Sequence, residues 1–308
     1  MTPTGVEQPS RNADLLGYAS MIGTAMCFAS SLLLIKVFGD IIPPFGMTFV
    51  RWFGIAVLLL PFQFWAVWRY REVIVKYWHR LLVLGVTGMS IPALVNYFAI
   101  RTSTATNISL IISSTPIMVI LADRLFLAEA LPARRLTGVI LAFLGVVVII
   151  LRGDIHVLWT LSLVPGDLWA LTSTTSWAIY SVLIKPWRLN LPPMVQLIMI
   201  AGFGGLAAFP FALYEAAHSG PWAPGWRLPA IALFSVLVPG LSAFALHGIC
   251  VRRLGIAHAA MAQYIVPIFV TIVATLLLGE KLELFHAIGG GAVLGGVWLA
   301  SKSVKAAA

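Results

Sequence analysis

Apolar residues run along this chain in long, nearly uncharged stretches separated by short polar breaks. Ten stretches stand out, at residues 15–36, 45–67, 79–100, 104–127, 134–151, 166–185, 193–214, 229–250, 255–278 and 284–301. They match the roughly 20 residues that an α-helix needs to cross a bilayer. The pattern therefore predicts an all-α integral membrane protein with ten transmembrane helices. The longest outer break, at residues 215–228, carries Pro221, Trp222, Pro224 and Trp226. Tryptophan at such a place suits the membrane interface.

Composition supports this class. Of 308 residues, 60% are hydrophobic and 10% are charged, against roughly 25% charged in an average soluble chain. A soluble fold of this size could not hide so much apolar surface. The net charge of +9 does not indicate nucleic acid, because no Arg-rich or aromatic-basic stripe stands apart from the apolar runs. The basic residues set topology instead. With the N-terminus inside, inner segments hold fourteen Lys and Arg and outer segments six, namely Lys36, Arg51, Arg101, Arg152, Arg227 and Lys281, which places both termini in the cytoplasm. The polar segment at residues 1–14 lacks a basic region and a cleavage site, so the first helix is expected to act as its own targeting signal.

The chain also repeats itself. Leu34, Ile35 and Lys36, followed by Pro43 and Pro44, recur as Leu183, Ile184 and Lys185, followed by Pro192 and Pro193, an offset of 149. At that offset Thr24, Phe28 and Ser31 meet Ser173, Trp177 and Tyr180. Pro116, Glu129, Leu131, Gly138 and Gly145 meet Pro267, Glu280, Leu282, Gly289 and Gly296 at an offset of 151. Pro92 meets Pro239 at 147. The expected repeats are residues 1–151 and 152–308. Each has five helices, an odd number, so the second is inverted relative to the first. Secondary transporters with a midplane site at the repeat interface are built this way.

Candidate functional residues cluster on a few helices. Pro92, Pro116, Pro239 and Pro267 lie inside apolar stretches, where proline removes a backbone hydrogen bond. The carbonyls of Gly88, Ile112, Ser235 and Gln263 are then left needing partners. Matched breaks in both halves point to a transport site. Asn96, Tyr97, Asn107, Ser113, Ser114, His247, His258, Gln263 and Tyr264 are polar positions on those helices. Phe28, Trp177 and Tyr180 form an aromatic stripe with neighbouring hydroxyls, suited to an amphipathic ligand. No Asp or Glu falls in the middle of a predicted helix, so proton coupling would rest on a histidine or an end carboxylate. No P-loop, metal motif or C-x-x-C spacing is present, and Cys27 and Cys250 sit in apolar runs. No cofactor, metal or enzymatic activity is expected. Gly138, Gly145, Gly289, Gly290, Gly291, Gly295 and Gly296 allow close helix contact, within a monomer or a homodimer.

The blocks around Asn107 to Pro116, Leu127 to Leu131 and Gly138 with Gly145, and their second copies at Tyr264 to Pro267, Leu278 to Leu282 and Gly289 with Gly296, resemble the EamA family of the drug/metabolite transporter superfamily. The resemblance covers nearly the whole chain. It implies ten helices as inverted five-helix repeats around a central cavity, in a bacterial inner membrane. It further implies transport of a small organic metabolite. Export of amino acids or related amphipathic compounds is the leading expectation, and import of a vitamin such as riboflavin the alternative.

Overall fold

The computed structural model describes residues 11–127, 133–154, 164–187, 189–218, 225–254 and 256–301. Glu129, Leu131, Pro221, Trp222 and Pro224 lie outside these, as do the side chains of His258 and Tyr264. The described chain is helical, without strands. The first half runs through α1 (Arg11–Phe38), α2 (Pro44–Arg69), α3 (Arg71–Lys76), α4 (Trp78–Gly85), a π-helical turn (Val86–Ser90), α5 (Ile91–Thr102), α6 (Ala105–Ile112), α7 (Thr115–Leu127) and α8 (Ala133–Ile150). The second runs through α9 (Pro165–Trp187), α10 (Pro193–His218), α11 (Arg227–Ser235), a second π-helical turn (Val236–Ser242), α12 (Ala243–Leu254), α13 (Ile256–Leu278) and α14 (Leu284–Ser301).

Helix starts follow local chemistry. Helices α2, α9 and α10 begin on proline, which lacks the N–H that a first turn would leave unpaired. Thr104 caps α6 by accepting from the Asn107 backbone N–H at 3.1 Å.

Among the described residues, six helical spans are long and apolar enough to cross a membrane: Leu15–Phe38, Pro44–Arg69, Trp78–Thr102, Ala105–Phe126, Pro193–His218 and Arg227–Leu254. Leu136–Ile150, Ile265–Leu278 and Leu284–Gly296 are shorter apolar helices. Helix α9 falls short in apolarity because it carries the polar run from Thr172 to Ser176. The outer surface is apolar: Phe62 and Trp65 are each 79% exposed and Leu276 and Leu277 each 76%. Such a surface fits lipid rather than water.

The two halves interleave. The most extensive helix contacts pair α2 with α10, α8 with α14, α1 with α12 and α13, and α9 with α5 and α7. Glycine permits the closest of these. A Cβ on Gly145 would lie 2.6 Å from the Gly289 carbonyl oxygen, and one on Gly296 2.5 Å from the Ala142 nitrogen. Helices α4 and α10 touch in the same way through Gly85 and Gly204. Gly291 and Gly295, by contrast, face open space.

Two polar latches join the halves at opposite ends of the span formed by α6 and α7. At one end Glu280 accepts from the backbone N–H groups of Ala105 at 2.8 Å and Thr106 at 3.2 Å, and from the Thr106 hydroxyl at 2.9 Å. Lys36 Nζ lies 3.9 Å from the same carboxylate. A carboxylate on the first turn satisfies orphan donors and complements the helix dipole. At the other end Lys185 Nζ donates to both Asp123 oxygens, at 2.7 and 2.6 Å.

Gly296→Val is expected to destabilise the protein by about 1–3 kcal/mol through overpacking, while Gly291→Val leaves the midpoint of thermal unfolding in detergent unchanged. Glu280→Ala strands the two N–H groups that begin α6 and is expected to cost about 1–3 kcal/mol, read in the same assay.

Candidate functional site

A cavity of about 130 Å³ lies where the halves meet. Helices α1, α2, α5, α7, α9, α12 and α13 all contribute, together with Gly88 of the first π-helical turn and Ile112 at the end of α6. Its wall is aromatic on several sides, through Phe28, Trp52, Trp177 and Phe244. Phe244 stands edge-on to both Phe28 and Trp52, with ring centroids 6.2 and 6.1 Å apart. Polar groups punctuate the wall: the amides of Asn96 and Gln263, the hydroxyl residues Ser31, Thr115 and Ser173, and the guanidinium of Arg51.

The π-helical turns shape this space. In a π turn the regular ladder is widened, so carbonyls there need other partners. Side chains supply them. Ser176 Oγ donates to the Thr87 carbonyl at 2.7 Å, and Ser173 Oγ to the Pro92 carbonyl at 3.4 Å. Ser90 Oγ, in the first turn, donates to the Gly204 carbonyl at 2.6 Å. In the second turn, Arg51 Nη2 donates to the Pro239 carbonyl at 3.2 Å. Gly88 lets a ring come close: a Cβ there would sit 2.5 Å from Cδ2 of Tyr180. Tyr180 in turn leans on Trp177, their centroids 5.2 Å apart.

Of the residues singled out from the sequence, Phe28, Pro92, Asn96, Trp177 and Gln263 line this cavity together. The other candidate site residues whose side chains are described lie elsewhere. Tyr97 is packed in the core beside α1. Tyr180 supports Trp177 from behind. Ser113 and Ser114 are buried and turn their hydroxyls back to the carbonyls of Leu110 and Ile111, each at 2.6 Å. Thr115 does the same to Ile112, so the carbonyl that Pro116 frees has a partner within its own span. These bonds accompany a break at Ser113–Ser114 between α6 and α7, and Pro116 sits in the first turn of α7. Its counterpart Pro267 lies inside the unbroken α13. Pro239 belongs to the second π turn, and His247 is half-buried on α12 outside the lining. Asn107 is buried near Asp167, whose Oδ1 accepts from the Ser103 hydroxyl.

Sequence reasoning counted Arg51 among the outer basic residues and overlooked Trp52. Arg51 is only 7% exposed. Its Nη1 donates to Ser31 Oγ at 2.8 Å, and its Cζ stands 5.1 Å from the Trp52 ring centroid. The signal was available: Arg51 is the only charged residue in the apolar run at 45–67, and an ionisable residue within a membrane span is a functional candidate by default. Among the described residues, no group of His, Cys, Asp or Glu is arranged to hold a metal ion.

Comparison with known proteins agrees with this architecture. The model of the EamA-like transporter family matches twice, at residues 15–151 and 164–302. An uncharacterized transporter of Archaeoglobus fulgidus is 28% identical over 280 residues, covering 90% of this chain and 94% of its own. The uncharacterized transporter YetK of Bacillus subtilis is 24% identical over 92% of this chain and 86% of its own. A probable terminal-alkyne amino-acid exporter of Streptantibioticus cattleyicolor is 26% identical over 72% of each chain. One crystal structure of another protein superposes with a TM-score of 0.58 at 18% identity, covering 96% of this chain and 98% of that one; it shares the fold. An apolar exterior, an interior cavity and a family match over both halves lead to one assignment: the chain belongs to the EamA-like transporter family of the drug/metabolite transporter superfamily and is a multi-pass membrane transporter.

Proposed function

We propose that this transporter exports amino acids or closely related amphipathic compounds from a bacterial cell, across the inner membrane, by alternating access. In this reading it has ten crossings, as inverted repeats at residues 1–151 and 152–308 with both termini cytoplasmic. The carrying observation is the cavity itself. Both halves build it, four aromatic rings stand in its apolar wall, and amides and hydroxyls interrupt that wall.

Three further observations support the repeats. The family model matches each half separately. The π turns fall at corresponding places, beside Pro92 and at Pro239. The packing also survives exchange of the halves: α2 with α10 and α8 with α14 map onto themselves, while α1 with α12 and α13 maps onto α9 with α5 and α7. Inverted repeats of this kind carry a site between them and rock about it.

Size favours the smaller of the two expected ligands. A cavity of about 150 Å³ takes one benzene ring, and this one is about 130 Å³. An amino acid side chain fits that scale better than the fused rings of riboflavin. The naming of one relative as a probable amino-acid exporter points the same way.

The test is flux in proteoliposomes with a labelled panel of aromatic, aliphatic and charged amino acids and riboflavin, with and without a pH gradient. Saturable flux of one amino acid class is expected. Trp177→Ala and Asn96→Ala are each expected to lower it about tenfold or more, a loss near 1.4 kcal/mol, while the protein remains in the membrane. Flux of riboflavin alone would overturn the amino acid reading.

A further inference from the structure

Three polar atoms on the cavity-lining residues have no hydrogen-bond partner in the protein, although each is buried. They are Arg51 Nε, Trp52 Nε1 and Asn96 Oδ1. Two are donors and one is an acceptor. A buried donor or acceptor left unpaired is costly, and three such atoms on residues that line one cavity point to a ligand that supplies the complement.

The charge narrows that ligand further. Among the described residues, Arg51 is the only charged one lining the cavity, and no carboxylate pairs with it. The wall therefore favours an anion and gives a cation no counter-charge. Both terminal nitrogens of the guanidinium are already engaged, by Ser31 and by the Pro239 carbonyl. Those bonds hold the planar group in place, so little freedom is lost when a ligand reaches the Nε–H, which has no partner in the protein. Two donors and one positive charge match a single carboxylate. A phosphate dianion would bring a second negative charge for which the wall has no cation.

Resting on the reading of this cavity as the transport site, we propose that Arg51 and Trp52 hold the substrate carboxylate while Asn96 accepts from its ammonium group. The cargo is then a zwitterionic α-amino acid with an apolar or aromatic side chain. Arg51 Nε–H and Trp52 Nε1–H donate to the carboxylate, and Asn96 Oδ1 accepts from the amine. The rings of Phe28, Trp177 and Phe244 take the side chain. Decarboxylated amines and amino acid amides lack the group that Arg51 requires and are excluded.

The experiment uses four matched probes: L-phenylalanine, L-phenylalaninamide, phenethylamine and 3-phenylpropionate. Each is titrated into the full chain purified in detergent, with thermal unfolding as the readout. Each also competes with labelled phenylalanine flux in proteoliposomes. Phenylalanine is expected to bind about 30-fold or more tightly than the amide or the amine. It is expected to bind about tenfold more tightly than 3-phenylpropionate, which cannot donate to Asn96. Arg51→Gln removes the preference for acid over amide. Arg51→Lys keeps the preference with weaker binding, since it retains the charge and loses the planar fork. Trp52→Phe keeps the ring and loses the N–H, weakening phenylalanine binding but not that of phenethylamine. Should Arg51→Gln fail to fold, the wild-type series and Trp52→Phe decide the matter. Amide or amine binding the wild type as tightly as the acid overturns the carboxylate clamp, and flux of those compounds would leave the transporter reading intact. A folded Arg51→Gln that still prefers the acid overturns it too. If none of the four binds and riboflavin moves, both the clamp and the amino acid reading fall.

Discussion

Backbone polar groups have no water to turn to within a bilayer, and several departures from the regular helix around the cavity are tied to substitute partners. The first π turn has Ser176 and Ser173 beside it, and its own Ser90 reaches across to Gly204. The break before Pro116 is covered by three hydroxyls of its own segment. The start of α6 is closed by a carboxylate from the other half of the chain. The second π turn is served by a guanidinium. The partners of the two π turns and of the α6 start also join separate helices, so at those places satisfying the backbone and assembling the bundle are the same contacts.

The interleaving explains why a cavity persists in the middle. Helices α8 and α14 close on each other with glycine facing backbone, as do α4 and α10. These pairs form tight seams. Around the cavity the facing residues are instead large rings, Phe28, Trp52, Trp177 and Phe244, whose bulk holds the helix backbones apart. Close approach at the seams and bulk at the centre leave room there. The π turns widen it, since each adds backbone without adding length to the helix.

Much of this was legible in the sequence, for identifiable reasons. Helical stretches follow from apolar length. Phe28, Trp177 and Pro92 emerged because they fall at aligned positions of the repeat, Asn96 and Gln263 because an amide is costly to leave unpaired in lipid, and the structure gathers all five on one cavity. Ser113 and Ser114 did not join them, because a hydroxyl can bond to the carbonyl three residues back and needs no cavity. That same chemistry separates two aligned prolines. Pro116 follows Ser113, Ser114 and Thr115, which compete for the backbone; Pro267 follows Tyr264, Ile265 and Val266, of which Ile265 and Val266 offer no such competitor, and α13 runs on. Arg51 was missed through depth. Counting charges by side treats it as a loop residue, yet α2 begins at Pro44, seven residues earlier, which at 1.5 Å per residue puts Arg51 about 10 Å into the helix.

That depth makes Arg51 more than a binding group. A charge buried without a counter-ion is held only where other contacts offset its desolvation. Here those contacts are Ser31 on α1, the Pro239 carbonyl in the second π turn and the ring of Trp52. The side chain thus ties α2 of the first half to the irregular turn of the second half at the cavity wall. Under the alternating access proposed above, a shift of the halves against each other at this point would strain the bond from Arg51 to Pro239. A substrate carboxylate would give the guanidinium the anionic partner it otherwise lacks as that bond weakens. The cost of an exposed charge during the change of state is then lower with cargo than without it, which ties the movement to the presence of a ligand through one buried cation.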